Sequence, residues 1–244
     1  MAVQKGLFLI GTYDGLIYYR ESEGLYCVRR VPAQVRQSAA TKAAAAELGT
    51  KSRSASLIKN TFGSLIGGNK DKRMWGRLLT AVGKVMEADT SDAKGERCVQ
   101  HGNLDFLLNF QFNAEADTRK VLKVQPETDL SRVGEAGFLL PELVPYRDIR
   151  VPKGTDTVVI SCQAAVLDFT AFSSEVSTAG EIVIPYTDTL YPARYLHFDY
   201  ELKTGNVVML VFALDFFRKN GSFLMPIVDK RFQAAAIAGV EKCY

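Results

Sequence analysis

The residues able to do chemistry are few. The chain has two histidines, His101 and His197, and four cysteines, Cys27, Cys98, Cys162 and Cys243. Nucleophilic or general acid-base catalysis needs a base within hydrogen-bond reach of its partner, and a metal site needs clustered ligands. His101 stands beside Gly102 in an expected turn, and His197 lies between Leu196 and Phe198 in an apolar run; neither adjoins a nucleophile motif. The cysteines are 71, 64 and 81 residues apart with no C-x-x-C pair, so they do not spell a zinc site and read as free thiols. The acid pairs Asp199 with Glu201 and Glu115 with Asp117 could share a hard cation, but solvated carboxylates are the commoner outcome.

Gly63-Ser-Leu-Ile-Gly-Gly-Asn-Lys70 superficially resembles a phosphate loop. It falls between helices rather than after a strand, with Asn69 where the pattern needs glycine, and is set aside. G-x-S-x-G, H-E-x-x-H, the EF-hand loop and the dinucleotide G-x-G-x-x-G are absent. The expectation is a non-enzymatic protein with no catalytic residue, no metal and no cofactor.

Charge is the stronger signal. Residues 29 to 84 hold twelve basic and two acidic side chains, a local charge of +10 in a chain of +3, which leaves −7 elsewhere. Such a dipolar chain presents one face able to attract phosphates or the acidic face of another copy. Lys70, Arg73, Arg77 and Lys84 fall at i, i+3, i+7 and i+14, within about 60° of one another on a helix. With Arg36 and Arg53 they are the candidate residues for a phosphate or an acidic partner.

These side chains need positioning elements. Leu16 to Arg20 and Leu25 to Arg29, joined by Glu21-Ser-Glu-Gly24, read as an N-terminal hairpin whose Tyr18, Tyr19 and Tyr26 form an aromatic assembly face. Gln34 to Leu48 is Ala-rich and predicts a helix stopped by Gly49. A second is capped by Thr50, Ser52 or Ser54 and carries Ile58, Phe62, Leu65 and Ile66 up to Gly67-Gly68-Asn69. A third, Lys70 to Ala88, has an apolar stripe of Trp75, Leu78, Leu79, Val82, Val85 and Met86. Beyond it, short β-rich runs (119–125, 157–169, 181–186, 207–218 and 223–228) alternate with turn residues, and Asn220-Gly221 predicts a hairpin. The expected fold class is α+β: an N-terminal β-hairpin (1–31), a three-helix basic segment (32–90) and an antiparallel β-sandwich or barrel (91–244).

The segments Val31-Pro-Ala-Gln-Val-Arg36, Glu47-Leu-Gly49, Ser54-Ala-Ser56, Gly95-Glu-Arg97 and Asn103-Leu-Asp-Phe-Leu-Leu-Asn-Phe-Gln-Phe-Asn113 together resemble a family of uncharacterised proteins common in Bacteroidetes genomes. The resemblance is best over residues 15 to 113, with Leu48 where the family usually has Phe. It implies the same order of hairpin, arginine-bearing helices and β-rich half, and no activity.

Three functional expectations follow. The first is a structural subunit that self-assembles into a homo-oligomer, filament or phage-like particle, with itself as partner. The second is a nucleic-acid-binding protein using the basic helices on phosphates. The third is a ligand- or glycan-binding β-sandwich. No secretory h-region opens the chain and the longest apolar run, Val207 to Leu214, is too short to span a bilayer. Cytoplasmic synthesis without a signal peptide or membrane insertion is therefore expected, compatible with a particle released from the cell.

Overall fold

Aromatic and β-branched residues broken by Gly11, Asp14-Gly15 and Gly24 shape the first segment. The computed structural model describes residues 3–5, 8–22, 24–32, 37–132, 134–201, 204–221 and 223–243. It shows an antiparallel meander of β1 (Val3–Lys5), β2 (Phe8–Tyr13), β3 (Leu16–Arg20) and β4 (Tyr26–Arg30). The expected hairpin is β3–β4, and two further strands precede it. Asp14 and Gly15, at φ 48° and 70°, turn β2 into β3, the left-handed pair that a two-residue hairpin loop requires.

Leu16, Tyr18 and Arg20 share one sheet face with Tyr26, Val28 and Arg30, while Ile17 and Tyr19 share the other with Cys27 and Arg29. The three tyrosines therefore do not make one aromatic face, because neighbours along a strand point to opposite sides. Phe8 stacks on Tyr26 at 3.8 Å, and Arg20 and Arg29 lie over Tyr26 and Tyr19. No described side chain from residue 8 to 32 is buried.

The chain divides into two compact units, Met1–Lys42 and Ala43–Tyr244. Arg36 and the expected start of the first helix lie outside the described residues. α1 (Ala39–Thr61) is a single helix of 23 residues that passes through Gly49, which does not take the left-handed conformation of a helix stop. The two helices expected there are one, and Ser54, expected as a possible cap, is buried inside it. α2 (Gly63–Ile66) ends at Gly67 as anticipated, with φ 30°. α3 (Met74–Glu87) begins four residues later than expected and buries Met74, Leu78, Val82, Val85 and Met86. This stripe is turned from the predicted one, so Trp75 stands at its edge, 37% exposed, with the Lys59 ammonium over its ring.

Past α3 the chain forms two 3₁₀ turns, Val99–His101 and Leu104–Leu107, then α4 (Thr118–Val121), β5 (Glu127–Asp129), β6 (Glu135–Leu140) and α5 (Pro145–Asp148). A strand was expected over 119–125; instead the Asp117 carboxylate accepts from Arg119 N at 3.0 Å and opens α4. The remaining strands are β7 (Thr157–Asp168), β8 (Ser173–Val176), β9 (Gly180–Pro185), β10 (Arg194–Asp199), β11 (Val207–Asn220), β12 (Phe223–Pro226) and β13 (Ala234–Lys242).

β11 pairs antiparallel with β7 from Val207↔Leu167 to Phe217↔Thr157. The far edge of β11 takes β13 along Val207–Leu214 and β12 along Phe217–Asn220; that of β7 takes β9 and β8. A second sheet runs in the order β10-β6-β5, and the antiparallel sheets curl into a half-barrel, an α+β fold. The expected hairpin closes on the pair Asn220↔Phe223 with Gly221 at φ 61°.

Period-two alternation sorts the sheet into two cores. Val207, Met209, Val211 and Leu167 pack with Ile58, Phe62, Leu78 and Val82 of the helices. Leu210, Phe212, Leu214 and Ile160 pack with Phe138 and Phe198 of the second sheet. The basic helical segment thus shares a core with the β-rich part. Among the described residues no helix is long and apolar enough to cross a membrane.

Gly49→Ala tests the continuous helix. Nothing lies within 4 Å of an added Cβ, so alanine should stabilise the protein by about 0.5–1 kcal/mol in urea unfolding. A left-handed stop at residue 49 would give a loss instead.

Candidate functional site

Two places gather polar groups on the helical side of the sheet. The first is the basic surface at the start of α3. The Asp71 carboxylate accepts from Arg73 N at 2.7 Å and Ala114 N at 2.8 Å, and forms a short ion pair with Arg77. Arg77 also donates to the carbonyls of Gln111 (2.6 Å) and Phe112 (3.2 Å) and lies over the Phe110 ring. Burial alone would push the Asp71 carboxyl up, but the Ala114 and Arg73 N–H groups and the Arg77 guanidinium outweigh it and hold it below the usual range. Arg77 is therefore a structural tie between α3 and residues 110–112.

The anticipated basic stripe is broken up. Lys70 lies in the turn before α3, Arg73 is its N-cap, and only Arg77 and Lys84 are on the helix. Lys84 is exposed, whereas Arg53, on α1, stacks over Phe172 at 4.3 Å. What remains is an open cleft of about 940 Å³ lined by Lys72, Arg73, Arg77 and Lys230, with Asp71 and Glu115. Among the described residues Lys72, Arg73 and Lys230 have no ion-pair partner.

The second place is the loop from Ala88 to Gly102, which the sequence reading did not single out. Asp89 follows α3 directly and is 1% exposed. Its Oδ1 accepts from Ser91 N (2.9 Å), Ser91 Oγ (2.7 Å) and Asp92 N (3.1 Å), and its Oδ2 from Cys98 N (3.3 Å). Burial again pushes the carboxyl up, yet these donors win and lower it to about 2. Asp92 Oδ2 meets His101 Nδ1 at 2.7 Å and the Cys98 thiol at 3.9 Å. One ligand atom each from Asp89, Asp92, Cys98 and His101 lies within 4.8 Å of all the others.

Glu47, Gly95 and Gly102 fasten this loop. Glu47 on α1 accepts from Gly95 N at 3.2 Å and faces Arg97 at 3.8 Å. Gly95, at φ 105°, sits so close to Ala43 that a Cβ would stand 3.0 Å from its Cα. Gly102 lies against the Val85 carbonyl of α3, where no side chain fits. Phe110 and Phe112 pack edge to face, and the buried Asn113 donates to the Lys230 and Gln233 carbonyls at 2.7 Å each.

A Cys, His and Asp in mutual reach invite a thiol-nucleophile reading, but the charge environment opposes it. A nucleophilic cysteine needs a lowered pKa. Burial, with the carboxylates of Asp89 and Asp92, pushes the Cys98 thiol up against the N–H groups of His101 and Gln100. His197, the other histidine, is exposed on β10 and bonded to Asp199 at 2.9 Å. All four cysteines are free.

Asp71→Asn should lower stability by about 3 kcal/mol at pH 7, because the amide keeps one acceptor oxygen for Arg73 N, while Arg77 and Ala114 N, which share the other oxygen, lose their acceptor and Arg77 its counter-charge. The folded carboxyl is depressed, so its contribution is complete above the ordinary value of about 4 and is lost as the pH falls through the lowered one. Urea unfolding of wild type and variant should therefore converge as the pH falls below the carboxylate range, while Lys84→Ala changes stability by less than about 0.5 kcal/mol. Set against protein-family models, curated proteins and solved structures, the chain matches none of them.

Proposed function

We propose that the protein is a non-enzymatic structural subunit that assembles with copies of itself. The observation that carries this reading is the surface of its strands. The β1–β4 meander has apolar side chains on both faces and buries none of those described from residue 8 to 32; Tyr13, Leu25 and Val28 are more than half exposed. At the far end of β11, the β12 hairpin presents Phe223 at 75%, Met225 at 51% and Val228 at 73% exposure. Isolated exposed apolar residues are ordinary, but runs of them on sheet edges are sites for strand pairing or docking.

The occupant this surface suits is a second copy of the chain. The +10 of residues 29–84 faces a −7 balance elsewhere, so copies attract head to tail, and heterologous contacts of that kind build rings or filaments. The resemblance to the Bacteroidetes family belongs to the same proposal and supplies no competing activity. Nucleic-acid binding is the second reading, favoured by Lys72, Arg73 and Lys230 around one cleft, which have no ion-pair partner among the described residues.

Light scattering and negative-stain imaging of the full chain at low and physiological salt decide the matter. Oligomers or polymers are expected, and Val28→Lys together with Phe223→Asp, both at exposed positions, should reduce them to monomers of unchanged circular dichroism. A monomer under both conditions with no polymer in the images defeats the proposal. If that monomer retards random DNA or RNA in a gel, and releases it between about 50 and 200 mM salt, the second reading takes its place.

A further inference from the structure

We propose that Asp89, Asp92, Cys98 and His101 form a binding site for one zinc-type divalent metal ion that clamps the loop following α3. The proposal stands apart from self-assembly and rests on the convergence of four different side chains.

Their ligand atoms all lie within 4.8 Å of one another. Tetrahedral zinc, with bonds of about 2.0–2.3 Å, separates its ligand atoms by roughly 3.3–3.7 Å. Two pairs stand on either side of that range, 2.7 Å between Asp92 Oδ2 and His101 Nδ1 and 3.9 Å between Asp92 Oδ2 and Cys98 Sγ, with every pair inside 4.8 Å.

The spacing is also that of a small metal loop. Asp89-x-x-Asp92 and Cys98-x-x-His101 are both i, i+3 pairs, and the 3₁₀ turn Val99–His101 brings positions three apart to one side. Paired cysteines are not needed when the second ligand is a histidine.

Donor chemistry selects the ion. Magnesium and calcium take oxygen donors, whereas one thiolate, one imidazole and two carboxylates suit zinc, cobalt or another late transition metal. Four protein ligands leave no open position, so the ion is a structural one.

Charge points the same way. Asp89, 1% exposed, and Asp92 converge with no Lys or Arg in ion-pair reach among the described residues. Asp89 is held by hydrogen bonds alone and Asp92 faces only His101, so a divalent cation would supply the pair with a full counter-charge. The cap that Asp89 makes for its own loop requires neither a thiol nor an imidazole, and a metal accounts for both. The loop is already held for the ion by Glu47 on Gly95 N and by Gly102 against Val85, and the exposed ring of His101 gives it entry from solvent.

The test uses the full chain, stripped with a chelator and titrated with zinc chloride or cobalt chloride. One equivalent per chain should bind, and cobalt should give a thiolate-to-metal charge-transfer band with the intense visible bands of a tetrahedral site. Cys98→Ser should abolish the charge-transfer band, and both Cys98→Ser and His101→Ala should weaken zinc binding by about tenfold or more. Zinc should also slow alkylation of Cys98, followed by peptide mass mapping of the wild-type chain, and leave Cys27 unprotected. Absence of the charge-transfer band in the wild type, its survival in Cys98→Ser, or an unchanged alkylation rate at Cys98 would overturn the proposal. The wild-type spectrum and the alkylation rate hold whether or not a variant folds.

Discussion

Val207 to Leu214 are eight consecutive buried residues at the centre of β11, and a strand buried on both faces must be covered on both. That double coverage governs the second unit. The odd-numbered residues face α1, α2 and α3, and the even-numbered ones face β6 and β10. Each buried aliphatic or aromatic side chain contributes about 1.5–3 kcal/mol relative to exposure, so neither layer can be withdrawn without stranding at least three of them. The helices are consequently part of the sheet's core, and their charge distribution is what remains on their outer surface.

Joining a helical layer to a sheet edge leaves backbone groups to satisfy, and residues 109–113 do this work. Asn109, Phe110 and Phe112 exchange backbone hydrogen bonds with Ile237 and Ala235 of β13, and the Gln111 and Phe112 carbonyls receive Arg77. Asp71 closes the arrangement by holding Arg77 and Ala114 N together. A half-buried guanidinium with a carboxylate and two carbonyls is costly to disrupt, because the Asp71 carboxylate and the carbonyls would lose their charged donor. This is why one of the arginines that looks most available for phosphate is committed to the fold, while Lys72, Arg73 and Lys230 stay free at the cleft.

The segment between α3 and the 109–113 stretch is fastened by similar means. Asp89 gathers the N–H groups of Ser91, Asp92 and Cys98 in the loop after the helix, Glu47 reaches Gly95, and Gly102 allows the backbone to touch α3. Four metal-type ligands converge in the loop so held. The N-terminal meander follows another logic, since its stability comes from turn chemistry and from ring contacts such as Phe8 on Tyr26, with no core of its own among the described residues.

Several features were legible in the residues themselves because their causes are local. Helical spacing placed Ile58, Phe62 and Ile66 on a buried face, alternation and turn residues marked β7, β9, β11 and the β11–β12 hairpin, and the absence of catalytic motifs needed only inspection. Others depend on neighbours distant in the chain. Gly49 continues a helix because no left-handed turn is required there. Ala234-Ala-Ala-Ile, which favours helix by itself, is a strand because the edge of β11 offers it a hydrogen-bond ladder, Ala234↔Leu214 to Ile237↔Val211. Trp75 leaves the core face because the sheet meets Met74 and Leu78 instead. The convergence of Asp89 and Asp92 on Cys98 and His101 was likewise hidden, since spacing records which residues share a turn but not which turns a fold presses together. The sequence by itself determined the α+β class, the basic segment and the strand periods, which arise within a few residues; tertiary packing decided which arginines stay free and which ligands meet, because those follow from the surfaces that the core brings into contact.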